Sequence, residues 1–156
     1  MRLTVMRHAP ALDRGDWPDP DAERPLAAGR LGELEEWCRQ VRGLVDGDLI
    51  LTSEWQRAWH TAAVAGRVWQ RPVRRIAALS GEVLDPAAVA AVLSGQAADD
   101  LVLIGHEPAL SGLVGWLTGG RIRLRKSAMA QVRGDPVEGG CRLAWLLAPK
   151  QGRRLA

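Results

Sequence analysis

The sequence predicts a three-layer α/β/α domain with a mostly parallel central sheet. Short apolar segments alternate with stretches in which apolar residues recur every three or four positions, which indicates strands alternating with helices. The inner strands are apolar throughout, as expected where helices cover both faces of a sheet. With 156 residues, 47% of them hydrophobic, the chain is suited to a single globular domain over residues 1–156.

In the first half of the chain, elements are predicted from apolar spacing and from one helix-start signal. A short apolar run is followed by a loop rich in Asp and Pro. From Leu31 to Leu44, apolar residues lie three and four positions apart, as in an amphipathic helix. Ser53 and Gln56 have the spacing of a capping box, which predicts that a helix begins at Ser53. The predicted elements are a strand at 3–6, a helix at 31–44, a strand at 49–52, a helix from 53 to about 69 and a strand at 73–76.

Proline and glycine mark most boundaries in the second half. Asp85-Pro86 has the form of a helix N-cap followed by proline in the first turn. Pro108 opens another helix, which Gly119-Gly120 ends. A turn rich in Gly and Pro separates the last two strands. The predicted elements are a helix at 87–93, a strand at 101–104, a helix at 109–117, and strands at 128–133 and 141–147.

Charge and cysteine content bear on partners and compartment. The net charge is +3, and residues 121–156 hold nine basic and two acidic residues. These could attract nucleic acid or an acidic protein, but they form no dense block, which favours a solvated surface. Cys38 and Cys141 fit no metal or redox motif and are expected to be free thiols.

The longest charge-free runs, of thirteen residues, are too short for a membrane span, and the N-terminus lacks a signal-peptide pattern, so we expect a cytoplasmic protein without membrane contact.

Histidines and arginines stand where the predicted parallel strands end. Arg7 and His8 follow the first strand, His106 follows the strand at 101–104, and Arg57 lies in the helix after the second strand. Because ligands bind beyond the carboxyl ends of parallel strands, we expect these side chains to meet at one edge. Arginine binds phosphoryl oxygens with forked donors, neutral imidazole can attack phosphorus, and a second imidazole can donate to the oxygens. The set therefore predicts phosphoryl chemistry.

These residues lie in motifs that resemble those of the histidine phosphatase superfamily, the phosphoglycerate mutase-like proteins. Arg7-His8-Ala9 resembles the Arg-His-Gly signature, and residues 53–61 resemble Ser-Pro-x-x-Arg-Ala-x-Gln-Thr. Residues 103–108 resemble the apolar strand that ends in Gly-His-x-Pro, and Arg24-Pro25-Leu26 resembles the Arg-Pro-Leu segment before the first helix. The length and motifs are most similar to the small SixA-type phosphohistidine phosphatases.

The resemblance implies a role for each residue. His8 would be transiently phosphorylated, with His106 as the second catalytic histidine, while Arg7 and Arg57 would bind the phosphoryl group. It further implies a metal-independent hydrolase that needs no cofactor and binds inorganic phosphate and other oxyanions. This sequence departs from the family motifs at Ala9, Glu54 and His60, where the family has Gly, Pro and Gln.

The proton donor and the substrate are left open at this point. Larger members of the family have a glutamate that acts as the proton donor, in an insertion after the third strand. In this sequence the segment Leu79–Glu82 occupies that region, so Glu82 is the candidate acid. Without an acid, alkoxide leaving groups are disfavoured, whereas phosphohistidine can carry a proton on its own ring. We therefore expect phosphohistidine in a protein as substrate. The alternatives are a phosphatase for a small phosphorylated molecule, a non-catalytic phosphate- or nucleic-acid-binding module, and a zinc site from His8, His60 and His106, which the neighbouring arginines argue against.

Overall fold

A six-stranded sheet runs through the centre of the computed structural model, which describes residues 1–45 and 47–149. The elements are β1 (Arg2–Arg7), α1 (Leu31–Gln40), β2 (Leu49–Thr52), α2 (Gln56–Trp69), β3 (Val73–Arg75), α3 (Pro86–Ser94), β4 (Asp100–Gly105), α4 (Ala109–Thr118), β5 (Met129–Gly134) and β6 (Cys141–Leu147). The strand order is β3-β2-β4-β1-β5-β6. The first four strands pair in parallel, and β5 pairs antiparallel with β1 and with β6. The predicted, mostly parallel sheet is confirmed.

Helices cover both faces of the sheet because its inner strands are apolar on both sides. Met6 and Ile104 pack in the cluster formed with α1 and α2, whereas Val5 and Leu103 pack in the cluster formed with α3 and α4. Each fully buried aliphatic side chain of this kind contributes about 1.5–3 kcal/mol to folding. Two cores on opposite faces of one sheet confirm the predicted three layers.

Two predicted helix boundaries are wrong. The helix predicted over 31–44 is α-helical only to Gln40, and a short 3₁₀ turn at Arg42–Leu44 contains Gly43, which disfavours helix. The second begins at Gln56 with Trp55 as N-cap, not at Ser53. The backbone of Ser53 instead continues the pairing of β2 with β4. Arg57 is therefore the second residue of α2.

The helix signals in the second half are confirmed. Asp85 is the N-cap of α3, and its carboxylate accepts the Ala87 N–H at 2.9 Å. Gly119 ends α4 with φ at 70°, a conformation that glycine adopts without strain. Cys38 and Cys141 are buried free thiols, as expected. Among the described helices, none has the length and apolar character needed to cross a membrane.

Candidate active site

Three strand ends lie side by side because β4 lies between β1 and β2. The His8 N–H donates to the Gly105 carbonyl at 3.0 Å, and the Ser53 N–H donates to the Ile104 carbonyl at 3.1 Å. These bonds extend the strand pairing by one residue on each side of β4. As a result the rings of His8 and His106 have centroids 5.2 Å apart. The structure therefore brings the two histidines together at one edge of the sheet.

The His8 ring is held in one tautomer. Its Nδ1 lies 2.7 Å from the Ala9 carbonyl oxygen, which can only accept, so Nδ1 carries the hydrogen and Nε2 carries the lone pair. Arg57 Nε donates to that Nε2 at 3.3 Å. Burial lowers the pKa of His8 to about 3, and the charges of His106, Arg57 and Arg7 act in the same direction. At neutral pH His8 is an uncharged imidazole whose Nε2 lone pair accepts from Arg57.

Asp21 holds the Arg57 guanidinium in place. Arg57 is 2% exposed, and its Nη1 and Nη2 donate to the Asp21 carbonyl and carboxylate at 2.7 and 2.9 Å. Burial alone would raise the pKa of Asp21, but the hydrogen bonds and charges of Arg24 and Arg57 outweigh it and lower that pKa. The carboxylate thus stays charged and leaves Arg57 Nε directed at His8. Asp21 is not predicted from the sequence, because nothing in the spacing of the Asp/Pro-rich loop distinguishes it from the other aspartates.

The His106 ring is positioned by Ser53 and Trp55. Ser53 Oγ accepts the Trp55 N–H and lies 2.8 Å from His106 Nε2, closer than Ser80 Oγ at 3.5 Å, so we assign its hydrogen to His106 Nε2. The hydrogen of the neutral ring is then on Nδ1, which is buried and has no hydrogen-bond partner among the described residues. Burial, followed by the Arg57 charge, lowers the pKa of His106 to about 3. His106 therefore presents a neutral N–H donor.

Arg7 completes a cationic pocket around the two imidazoles. Its Nη1 donates to the Leu124 carbonyl at 3.1 Å, while its Nε is buried without a hydrogen-bond partner among the described residues. Its charge lowers the pKa of both His8 and His106. A buried donor without a partner is unfavourable, and an anion that accepts from it relieves that cost. Arg7, Arg57 and His106 together can bind a tetrahedral oxyanion beside His8 Nε2.

Thr61 ties the His8 loop to α2. Its Oγ1 accepts the Ala9 N–H at 3.0 Å and donates to the Arg57 carbonyl at 2.7 Å. In the described part of the chain, Gln70 and Ser127 are the non-glycine residues with positive φ, so Ala9 is accommodated without backbone strain. Alanine can therefore stand where the family motif has glycine.

The remaining motif positions lie outside this contact network. Glu54 is exposed, and His60 is a half-buried residue in the second turn of α2. Glu82 is exposed as well, yet its charge opposes, to a small extent, the burial that lowers the pKa of Arg57, which places it within electrostatic range of the pocket. Within residues 1–45 and 47–149, no three His, Cys, Asp or Glu side chains are grouped as metal ligands. The structure thus offers no support for a zinc site at His8, His60 and His106.

Solved structures share this fold over nearly the whole chain. The protein histidine phosphatase SixA, in complex with tungstate, is 26% identical, with a TM-score of 0.83 over 96% of this chain and 98% of that one. This is the fold of the histidine phosphatases. A protein of Agrobacterium tumefaciens assigned as phosphohistidine phosphatase SixA is 20% identical, with a TM-score of 0.79 over 95% of this chain and 97% of that one. These likenesses confirm the resemblance to the SixA-type histidine phosphatases and the phosphoglycerate mutase-like fold.

A more distant histidine phosphatase fold contains phosphate. It is the mycobacterial glucosyl-3-phosphoglycerate phosphatase in complex with inorganic phosphate, 16% identical, with a TM-score of 0.70 over 96% of this chain and 98% of that one. No protein-family model and no curated protein matches the sequence.

The two neutral histidines give the folded state a characteristic pH dependence. Between pH 6.5 and about 3 the unfolded chain binds protons at His106 that the folded chain excludes, so stability falls as the pH falls through this window. In urea unfolding, the slope of the unfolding free energy against pH is expected to be shallower for His106→Gln than for wild type. The difference approaches about 1.4 kcal/mol per pH unit near pH 5. Equal slopes would show that the pKa of His106 is not lowered in the folded protein.

Proposed function

We propose that the protein is a metal-independent phosphatase that transfers a phosphoryl group to His8 and then to water, and that phosphohistidine in a protein is its substrate. One observation carries the proposal: His8 Nδ1–H is committed to the Ala9 carbonyl, so the unprotonated Nε2 faces the donors of the pocket. A neutral imidazole beside arginines that are held in place can act as a nucleophile toward phosphorus. Because both histidines are already neutral, no base is needed to activate His8.

In the first step, Arg57 Nε–H shifts from His8 Nε2 to a phosphoryl oxygen, the freed lone pair of Nε2 attacks phosphorus, and the bond from phosphorus to the substrate nitrogen breaks. Arg7, Arg57 Nε–H and His106 Nδ1–H donate to the phosphoryl oxygens, where charge accumulates in the transition state. In the second step, water attacks the phosphorus on His8. The bond from phosphorus to Nε2 breaks, Nε2 regains its lone pair, and inorganic phosphate leaves with both protons of the attacking water.

The leaving group that the site can accept depends on whether an acid near the pocket can protonate it. Glu82 is exposed, and no hydrogen bond connects it to the described pocket residues. An alkoxide needs protonation as it leaves, whereas the second ring nitrogen of phosphohistidine can carry a proton, so the ring leaves as neutral imidazole. The 26% identity to the protein histidine phosphatase SixA supports a phosphatase with this substrate class, and its tungstate complex supports oxyanion binding.

A side-by-side comparison of substrates tests the proposal. Hydrolysis rates are measured for a phosphohistidine protein, an aryl phosphate and a sugar phosphate. The first two are expected to react at least about 100-fold faster than the third, because their leaving groups need no acid. Activity on the sugar phosphate, with none on phosphohistidine, would select the alternative of a small-molecule phosphatase. Oxyanion binding without any turnover would select the non-catalytic module.

Substitution of Glu82 separates the two catalytic alternatives further. Glu82→Gln is expected to change all three rates by less than about threefold, since a solvated carboxylate without a contact transfers no proton. Glu54→Gln is the matched control, because it removes another exposed acid near the start of α2. A loss of about 100-fold confined to alkyl phosphates would instead identify Glu82 as the general acid.

A further inference from the structure

An open groove lies beside the proposed active site, next to α1. Its volume is about 620 Å³, and it is lined by residues of α1, by the segment that leads into β5, and by the end of β6. Pro10, two positions after His8, is one of its lining residues. The proposed mechanism uses none of the groove's exposed side chains.

The groove is connected to the active site through Ser127. Trp37 Nε1 donates to the Ser127 carbonyl at 2.9 Å, and the Ser127 N–H donates to the His8 carbonyl at 3.2 Å. Ser127 has a φ of 60°, a conformation that non-glycine residues rarely adopt and that this packing maintains. On the same side, the Arg123 charge contributes, after burial, to the lowered pKa of Arg7. Ser127 therefore links the wall of the groove directly to the backbone of His8.

The rim of the groove carries an excess of positive charge. Arg123, Arg125 and Lys126 are exposed, and their side chains form no ion pair or hydrogen bond with other described residues. Arg30 is also exposed, but it pairs with Glu33, the acidic lining residue. Three uncompensated cations thus lie along one side of the pocket, where they favour an acidic ligand.

The apolar residues that line the groove indicate which class of acidic ligand it fits. Leu146 is 43% exposed in the groove, and Pro10 and Pro149 add further apolar surface. Trp37, the aromatic lining residue, is 3% exposed and its N–H is already bonded, so no ring face is available for base stacking. Apolar surface beside cations, without a stacking platform, favours an acidic protein segment with apolar side chains over a nucleic acid.

We propose that this groove docks an acidic segment, with interspersed apolar residues, of the phosphoprotein whose phosphohistidine enters the active site. The proposal rests on the proposed function, because it places the docking segment next to the phosphorylated residue. The Glu or Asp side chains of that segment pair with Arg123, Arg125 and Lys126, and its apolar side chains cover Leu146. Docking of this kind lowers KM for protein substrates and leaves small substrates unaffected.

Two synthetic phosphohistidine peptides of equal length test this proposal, one flanked by Glu and Leu and the other by Gln and Leu. In wild type, kcat/KM for the acidic peptide is expected to exceed that for the neutral one by about tenfold, and the difference is expected to fall with added salt. In the double variant Arg125→Glu with Lys126→Glu, the preference is expected to vanish while hydrolysis of an aryl phosphate is unchanged. The control, Arg71→Glu with Arg74→Glu, reverses two exposed charges at β3, the edge strand opposite β6, and is expected to keep the preference.

Binding of the unphosphorylated acidic peptide separates this proposal from the proposed function. Fluorescence titration is expected to show binding to wild type that is weakened at least about tenfold in the Arg125→Glu, Lys126→Glu variant, even if neither phosphopeptide is hydrolysed. Equal binding to both proteins would overturn the proposal. Binding of a single-stranded RNA oligonucleotide in place of the peptide would also overturn it. The same holds for a dimer in sedimentation experiments that is lost in the variant, which would show that a second copy of the chain occupies the groove. An equal loss of aryl phosphatase activity in the variant would likewise overturn it.

Discussion

Replacing His8 by alanine is expected to lower kcat on an aryl phosphate by at least about 10⁴-fold, because the proposed mechanism has no other nucleophile. The other donors, Arg7, Arg57 and His106, remain in place, so tungstate is still expected to raise the melting temperature. Together, the two measurements separate loss of chemistry from loss of the site. The matched control is His60→Ala, which removes a histidine that lies on α2 outside the contact network and is expected to retain activity within about twofold.

Two further observations belong to this experiment. Rapid quenching of wild type during turnover is expected to trap a phosphoenzyme that is labile in acid and stable in alkali, as a phosphorylated imidazole is, and that is absent from His8→Ala. Chelators are expected to leave wild-type activity unchanged, because the arginines and imidazoles supply the positive charge and donors that a metal supplies elsewhere. Full activity in His8→Ala, or complete loss of wild-type activity on chelation, would refute the mechanism.

The second large effect is expected for Arg57→Lys. Lysine keeps the charge but lacks the planar fork, so it cannot bind Asp21 through two nitrogens while a third faces His8. We expect kcat/KM to fall by about 10²–10³-fold, the usual result of losing one transition-state donor, and the tungstate-induced rise in melting temperature to shrink. Arg67→Lys is the matched control, since Arg67 lies on the same helix with its side chain 65% exposed.

The variant Asp21→Asn shows whether the Arg57 effect arises from orientation. Asparagine can still accept from Arg57 Nη2 but carries no charge, so a smaller loss than in Arg57→Lys indicates that Asp21 positions the guanidinium. Wild-type activity in Arg57→Lys would contradict the assignment of Arg57 as a phosphoryl-binding residue, and it would leave Arg7 and His106 as the donors.

Much of the fold follows from local signals in the sequence. Apolar runs of strand length, periodic apolar spacing, and markers such as Asp85 and Gly119 are local properties of the chain, and the structure confirms them. The boundary at Ser53 was predicted wrongly because a capping pattern is also local. Such a pattern cannot reveal that the Ser53 hydroxyl bonds to His106, which is 53 residues away in the chain, instead of capping the helix.

By itself, the sequence determined the layer order, the strand ends at which His8 and His106 stand, and the resemblance carried by their motifs. Only the tertiary structure decided the protonation states and the orientation of the site. The neutral rings arise from burial, which depends on every element packed over them. The position of Arg57 depends on Asp21, a loop residue brought to it across 36 positions of the chain. Spacing along a chain specifies which residues follow a strand, but only packing specifies which distant charges and carbonyl groups they meet.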